Sequence, residues 1–282
     1  MKCIFVTDIH GNIRKYNLLF KIISKEKPDV VFIGGDLFPL QLKKFDNLNE
    51  FIEKVIINPI KKIKKENQTR FFIIMGNDDP RKYEKKIIKS DQEEIIDYIN
   101  KKKIKYQNYH IIGYPYIPPS PFRLKDWEKY DVSRHMDVGA ISPEKGVRTV
   151  DVSDDEIRFS TISKDLGKIS ENLDFKKSIF LFHSPPYKTN LDRADLDGKM
   201  IDHAPLDVHV GSIAIKRFIK KNQPFLTLHG HVHESTKITG KWKQRIGKTL
   251  SVNGAHEGNE LCVTRFDTSD ISKVTRKLYS IS

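Results

Sequence analysis

The stretch Val6-Thr7-Asp8-Ile9-His10-Gly11-Asn12 decides how this chain is read. It closes a short apolar run, Ile4-Phe5-Val6, and ends in a Gly-Asn turn signal. A run that short and that β-rich, bounded by turn residues, predicts a buried strand running into a loop. Asp8 and His10 stand two apart, so if strand alternation persists to its end, both side chains leave on one side of the backbone. A carboxylate and an imidazole converging at a strand end offer one O and one N ligand to a metal. Alone, such an Asp is equally a helix cap and such a His an exposed residue. The reading depends on how the later strands end.

The next strands end the same way. Ile13 to Glu26 places Ile13, Leu18, Leu19, Ile22 and Ile23 on one helical stripe, with Asn12 as its cap. The apolar run Val30–Ile33 then leads into Gly34-Gly35-Asp36. Strand, helix, strand predicts a βαβ unit with parallel strands and a right-handed crossover. Ligands of such sheets sit beyond the carboxyl ends of the strands, so Asp8, His10 and Asp36 fall on one rim. A helix over Asp46 to Lys65, with Phe45 and Phe51 on its apolar face and Pro59 near its end, precedes a third strand, Arg70 to Met75. That strand runs into Gly76-Asn77-Asp78-Asp79-Pro80.

Lys103 to Gln107 and Tyr109 to Tyr114 predict a hairpin turning at Asn108. The Pro-rich stretch 115–121 predicts a rigid loop bordering the rim, the start of an irregular excursion at about 115–160. Ile162, Leu166, Ile169 and Leu173 predict a helix interrupted by Gly167. A fourth strand, Ser178 to Phe182, ends in His183. A short helix over Ile213 to Lys221 leads to a fifth strand, Phe225 to Leu228, which ends in His229-Gly230-His231-Val232-His233. The tail, 249–252, 261–266 and 274–279, alternates as strands and suggests a second sheet with antiparallel character.

The chain has 282 residues, 38% hydrophobic and 31% charged, which fits a soluble globular protein able to bury a sizeable core. Both ends of the chain supply strand-end donors, so residues 1–282 are expected to form a single domain. No apolar run approaches the ~20 residues of a membrane span, so no membrane partner is expected. The chain enters its first strand at once, so no signal peptide is expected. Cys3 and Cys262 are far apart and fit two buried thiols in a reducing compartment, so a cytoplasmic location is expected. Fifty basic residues against 37 acidic give a formal +13. Nucleic acid is one partner that such charge suggests. A Lys-enriched surface is the other reading. Lysines spread along helix faces such as Ile60 to Glu66, and arginine, which reads phosphates in fixed geometry, is scarce.

Collected, the strand ends supply Asp8, His10, Asp36, Asn77, His183, His231 and His233. Seven donors are too many for one ion and about right for two. Mixed N and O donors without Cys suit Mn, Fe, Zn or Co better than Ca or Mg.

The order Asp-x-His, Gly-Asp, Gly-Asn, His, Gly-His-x-His resembles the calcineurin-like metallophosphoesterase superfamily, in its small prokaryotic single-domain form, from Asp8 to His233. The resemblance implies an α/β fold of two facing mixed β-sheets flanked by helices, an α/β/β/α sandwich with its metal site at the carboxyl-end rim of the strands. It implies two divalent metal ions about 3.5 Å apart. Asp8, His10 and His233 would hold one, Asn77, His183 and His231 the other, with Asp36 bridging. The implied activity is that of a hydrolase acting on phosphodiester bonds, with phosphomonoesters as a further class, through in-line attack by a hydroxide held between the metals. Its substrate would be a small phosphoester or a nucleotide. A DNA or RNA nuclease on the same fold and a non-catalytic metal-binding scaffold for a protein partner are the alternatives.

Position 78 departs from the family. Many members carry His there as an aid to the leaving group, where this chain has Asp78. A carboxylate beside cations should stay ionised and donate protons poorly, which predicts a preference for phosphodiesters with good leaving groups. Arg193 is a candidate phosphate contact, or else a surface arginine paired with Asp192 or Asp195. His229 is read as support or packing beside the donors. His110 and His135 are read as ordinary loop or strand residues. His203, His209 and His256 are left unassigned. Trp127, Tyr114 and Tyr116 could stack a base but are read as core.

Overall fold

The computed structural model describes residues 1–40 and 47–281. The expected helix start at Asp46, and Phe45 with it, lies outside the described residues. In chain order the first half holds β1 (Lys2–Val6), α1 (Ile13–Glu26), β2 (Val30–Gly34), α2 (Leu48–Phe51), α3 (Asn58–Glu66), β3 (Arg70–Ile74), α4 (Glu84–Gln92), β4 (Asp97–Tyr98), β5 (Lys103–Tyr106) and β6 (Tyr109–Tyr114). The second half holds α5 (Asp154–Phe159), α6 (Ile162–Ile169), β7 (Ser178–Phe182), β8 (Met200–Ile201), β9 (Ala204–Pro205), α7 (Ile213–Asn222), β10 (Leu226–His229), α8 (Ser235–Thr239), β11 (Lys243–Ile246), β12 (Thr249–Asn253), β13 (Leu261–Asp267) and β14 (Asp270–Tyr279).

Two six-stranded sheets run in the orders β14-β13-β1-β2-β3-β4 and β11-β12-β10-β7-β6-β5. Their central strands are parallel; antiparallel β13 and β14 flank the first sheet on one side while parallel β4 ends the other, and antiparallel β11 and β5 close the second. Alternate residues of β1 face opposite ways, as the pleat requires. Cys3 and Phe5 join Phe32, Phe72, Ile179, Leu228 and Val252 in a core between the sheets. Ile4 and Val6 face the helical side with Leu19, Ile23, Ile56 and Ile60. On the other sheet Phe180 and Phe182 pack on Phe218 of α7. This is the sandwich of two mixed sheets flanked by helices that the resemblance implies. Among the described residues no helix is long and apolar enough to cross a membrane.

Two expectations change, and a third gains a local detail. The tail does not build a sheet of its own: β12 adds parallel to β10, whereas β13 and β14 add antiparallel beside β1. Alternation identifies a strand but not its neighbour. Gly167 does not interrupt α6, because glycine adopts helical backbone at a cost of only about 1 kcal/mol relative to alanine. Pro59 sits inside a helix that continues to Glu66. The π-helical turn Ile52–Ile57 precedes it, and the Asn58 N–H reaches back to Glu53 O. Proline removes a donor and crowds the carbonyl four residues back, and the wider turn accommodates both.

Candidate metal centre

Each expected donor lies just past a strand end, but strand alternation does not aim them. β1 stops at Val6. Asp8 and His10 then take positive φ, 53° and 47°, as do Asp36 at 51° and His231 at 70°. Left-handed backbone costs a non-glycine residue roughly 1–2 kcal/mol and persists only where the surroundings dictate it. Main-chain bonds dictate it here. The Asp8 N–H donates to Gly35 O at 3.0 Å and the His10 N–H to Asp36 O at 2.8 Å, while the Gly230 N–H donates to His183 O at 2.9 Å. Two glycines let these loops touch. A Cβ on Gly76 would fall 2.3 Å from Asp36 Oδ1, and one on Gly230 would fall 2.5 Å from Asp8 Oδ2.

All seven expected side chains are brought together. His233 Nε2 lies 3.2 Å from His10 Nε2 and 3.3 Å from Asp8 Oδ1. His183 Nε2 lies 2.9 Å from Asn77 Oδ1 and 3.4 Å from Asp36 Oδ2. The His231 ring is 5.3 Å from that of His183, and its backbone N–H donates to Asp8 Oδ1 at 3.0 Å. With metal–ligand bonds of about 2.0–2.2 Å, ligand atoms around one tetrahedral or octahedral ion stand about 2.9–3.5 Å apart. The atom-to-atom distances above fall within that range. Asp36 belongs to two groups able to hold an ion, one with Asp8 and His183 and one with His10 and Asp78.

Residues 1–235 match the sequence profile of the calcineurin-like phosphoesterases. The chain belongs to that family. An uncharacterised protein of Methanocaldococcus jannaschii is 26% identical over 264 residues, 90% of this chain and 87% of its own length. The crystal structure of a Thermus thermophilus protein superposes with a TM-score of 0.59, at 13% identity over 98% of each chain. A dimetal phosphatase from Danio rerio superposes at 0.54, at 9% identity over 99% of each chain. At such identities the two structures speak for the fold alone. The family's chemistry is the hydrolysis of phosphoester bonds by means of metal ions.

The electrostatics suit a cationic occupant. Burial opposes ionisation of Asp8 and Asp36, yet His233 and His183 hold both carboxylates below their usual range. Burial likewise opposes a charged His183, but Asp36 outweighs it and pushes the imidazole up to about 10. Protein groups alone thus hold protons where a cation would sit. Burial and His183 push His231 down to about 3, leaving it neutral as a ligand must be. His183 Nδ1 is 2.8 Å from Gly34 O, so that N–H donates there, and it is Nε2 that would give up its proton and present a lone pair to an ion. Burial and the Asp36 carboxylate push Asp78 up to about 6. The low value expected for Asp78 comes from cations; the protein groups alone act in the opposite direction.

Arg193 is not brought to the cluster. Its guanidinium donates to Asp197 at 2.6 Å rather than to Asp192 or Asp195. The Asp192 carboxylate is already taken by the N–H groups of Lys188, Thr189 and Gly211 and by His209. His256 pairs with Glu260, and His229 is held by Ser184 O and Thr227 Oγ1 beside the site. Trp127, Tyr114 and Tyr116 are buried core. Sequence reading missed Asp79. Its buried carboxylate accepts the N–H groups of Leu37, Phe38 and Gly76 at 2.9 Å, welding the second and third donor loops together. The Trp127 indole N–H anchors Asp79 O at 2.7 Å. In Asn77-Asp78-Asp79 the two acids look alike, and nothing local says which one turns inward.

The cluster forms one end of a cavity of about 460 Å³. Its other walls come from the Pro-rich loop and the segments around 137–140 and 194–210, and among the described residues no Lys or Arg lines it.

Proposed function

We propose that this chain is a dinuclear metal-dependent phosphodiesterase of one domain spanning residues 1–282, acting on small phosphoesters in the cytoplasm. The observation that carries the reading is the spacing of the donor atoms, near 3 Å around a central Asp36. A scaffold has no need of seven converging donors, four of them held in left-handed backbone. A cavity lined by no Lys or Arg among the described residues favours a small substrate over nucleic acid, whose phosphates call for cations along the groove.

Asp8, His10 and His233 would hold one ion, and Asn77, His183 and His231 the other, with Asp36 shared. Mn, Fe or Zn fits this N and O set. Two such cations would acidify a water and offset the charge that develops on the phosphoryl oxygens. Water adds to phosphorus, the ester P–O bond breaks, and the alcohol or phenol departs. This chain's residues hold the frame for that exchange. The Asp78 N–H donates to Asp36 Oδ1 at 2.9 Å, fixing the shared carboxylate. His10 Nδ1 is buried without a hydrogen-bond partner and faces Asp78 Oδ2 at 3.6 Å. Asp78 thereby acts as the anionic partner that turns His10 Nε2 toward the cluster, rather than as an acid for the leaving group.

Protein loaded with Mn or Zn should cleave bis-(p-nitrophenyl) phosphate, lose the activity with chelator, and act far less well on alkyl monoesters. Asp78→Asn should lower that diester rate by about tenfold, through looser placement of His10, and by a similar factor for good and poor leaving groups. A hundredfold loss confined to poor leaving groups would make Asp78 the general acid instead.

A further inference from the structure

The cavity reaches beyond the donors. Three separate segments build its outer wall. Ile141 N–H donates to Ser120 O at 3.0 Å, joining the Pro-rich loop to the 137–140 segment. A Cβ on Gly139 would fall 2.7 Å from Ile201 Cδ1, so that segment also lies against the β8–β9 hairpin. Their shared surface is apolar. Nine large hydrophobic residues are exposed among the described residues, and three of them, Phe122 at 49%, Val138 at 44% and Ile201 at 42%, line this one cavity. Apolar groups left in water around a concave site mark where something apolar is received. The wall begins at the donors themselves, because the Phe122 ring stands edge-on to His231 at 6.5 Å. Beyond the donor end, the charged residues lining the cavity, among the described residues, are Asp137, Asp207 and Glu234. These carboxylates would repel a second phosphate.

We propose that this apolar wall receives the organic group of the substrate, and that the substrate is an amphiphilic phosphoester: one phosphate joined to an alkyl chain or apolar ring. The inference rests on the phosphoesterase reading above and narrows it. A nucleotide with several phosphates and a nucleic acid strand both fit this wall poorly.

Methyl, butyl and octyl p-nitrophenyl phosphodiesters, given to the full-length Mn-loaded protein, test it. The kcat/KM should rise about two- to fourfold per methylene over the first carbons, since each would leave water for the wall. Phe122→Ser should lower the octyl-to-methyl ratio at least fivefold. A flat series, or thymidine 5′-p-nitrophenyl phosphate or RNA cleaved faster than the octyl ester, overturns the inference while leaving the phosphoesterase reading intact. If no ester is cleaved, that reading fails, and calorimetric titration with octylphosphonate against methylphosphonate decides the wall separately. Tighter binding of octylphosphonate supports it and equal affinities overturn it.

Discussion

The two ends of the cavity are built by opposite means. At the donor end, each side chain leaves a loop of a few residues directly after a buried strand, and main-chain bonds between those loops fix its direction. At the far end, the wall belongs to segments with hardly any regular structure, from Tyr114 to α5 and from β7 to α7. Loops that are buried must find partners for their N–H and C=O groups. Here buried carboxylates supply them. Asp126 accepts the N–H groups of Arg81 and Thr149, and Asp131 accepts those of Ile213 and Ala214 at the start of α7. The Lys125–Glu128 ion pair is wholly shielded from water within the same excursion, and Lys125 Nζ also donates to Ser120 O. A site can thus take its donors from strand ends and its far wall from loops, provided the loops carry their own buried anions.

The sharpest way to break the donor end is Asp36→Asn, which keeps the shape and removes the shared charge. Hydrolysis of bis-(p-nitrophenyl) phosphate should fall on the order of 10⁴-fold, with the fold retained by circular dichroism. A folded variant running at the wild-type rate would end the two-ion reading.

The far end should break through stability. Lys125→Met leaves Glu128 buried without its partner and should cost roughly 3–5 kcal/mol in urea unfolding. Adding Glu128→Leu should restore most of that. A cost below about 1 kcal/mol for the single change would mean that the pair does not hold the wall.

Metal binding should act on the donor end alone. A divalent cation at a hundred times its Kd should raise unfolding stability by about 2.7 kcal/mol, release protons on binding, and lose both effects in Asp8→Asn. Equal stabilisation in that variant would place the ion elsewhere.

The smallest effect expected is that of Asp131→Ala, about 1–2 kcal/mol, because two N–H groups at the start of α7 and the Ser212 hydroxyl lose their acceptor. Unchanged urea stability would show that water replaces the carboxylate there.

Much of the donor end was legible in the sequence. Apolar runs closed by Gly and followed by Asp, Asn or His repeat locally, and Asn12 caps α1 as its position suggests. The Pro-rich loop was legible as a border, and Pro118, Pro119 and Pro121 do line the cavity. Arg193 was not legible, because its phosphate role depended on which carboxylate was free, and Asp192 is consumed by loop N–H groups.

By itself the sequence determined the central strands, the longer helices between them, and the kinds of donor at each strand end, because periodicity and turn chemistry act over a few residues. Only the tertiary structure decided that these donors meet. His183 takes its tautomer from Gly34 O, 149 residues away in the chain, and His231 is held by Asp8 across 223. It also decided that Asp79 turns inward while Asp78 faces the cavity, and that Phe122 and Ile201 share a wall. Such choices depend on which surfaces the two sheets press together, and no local pattern along the chain encodes them.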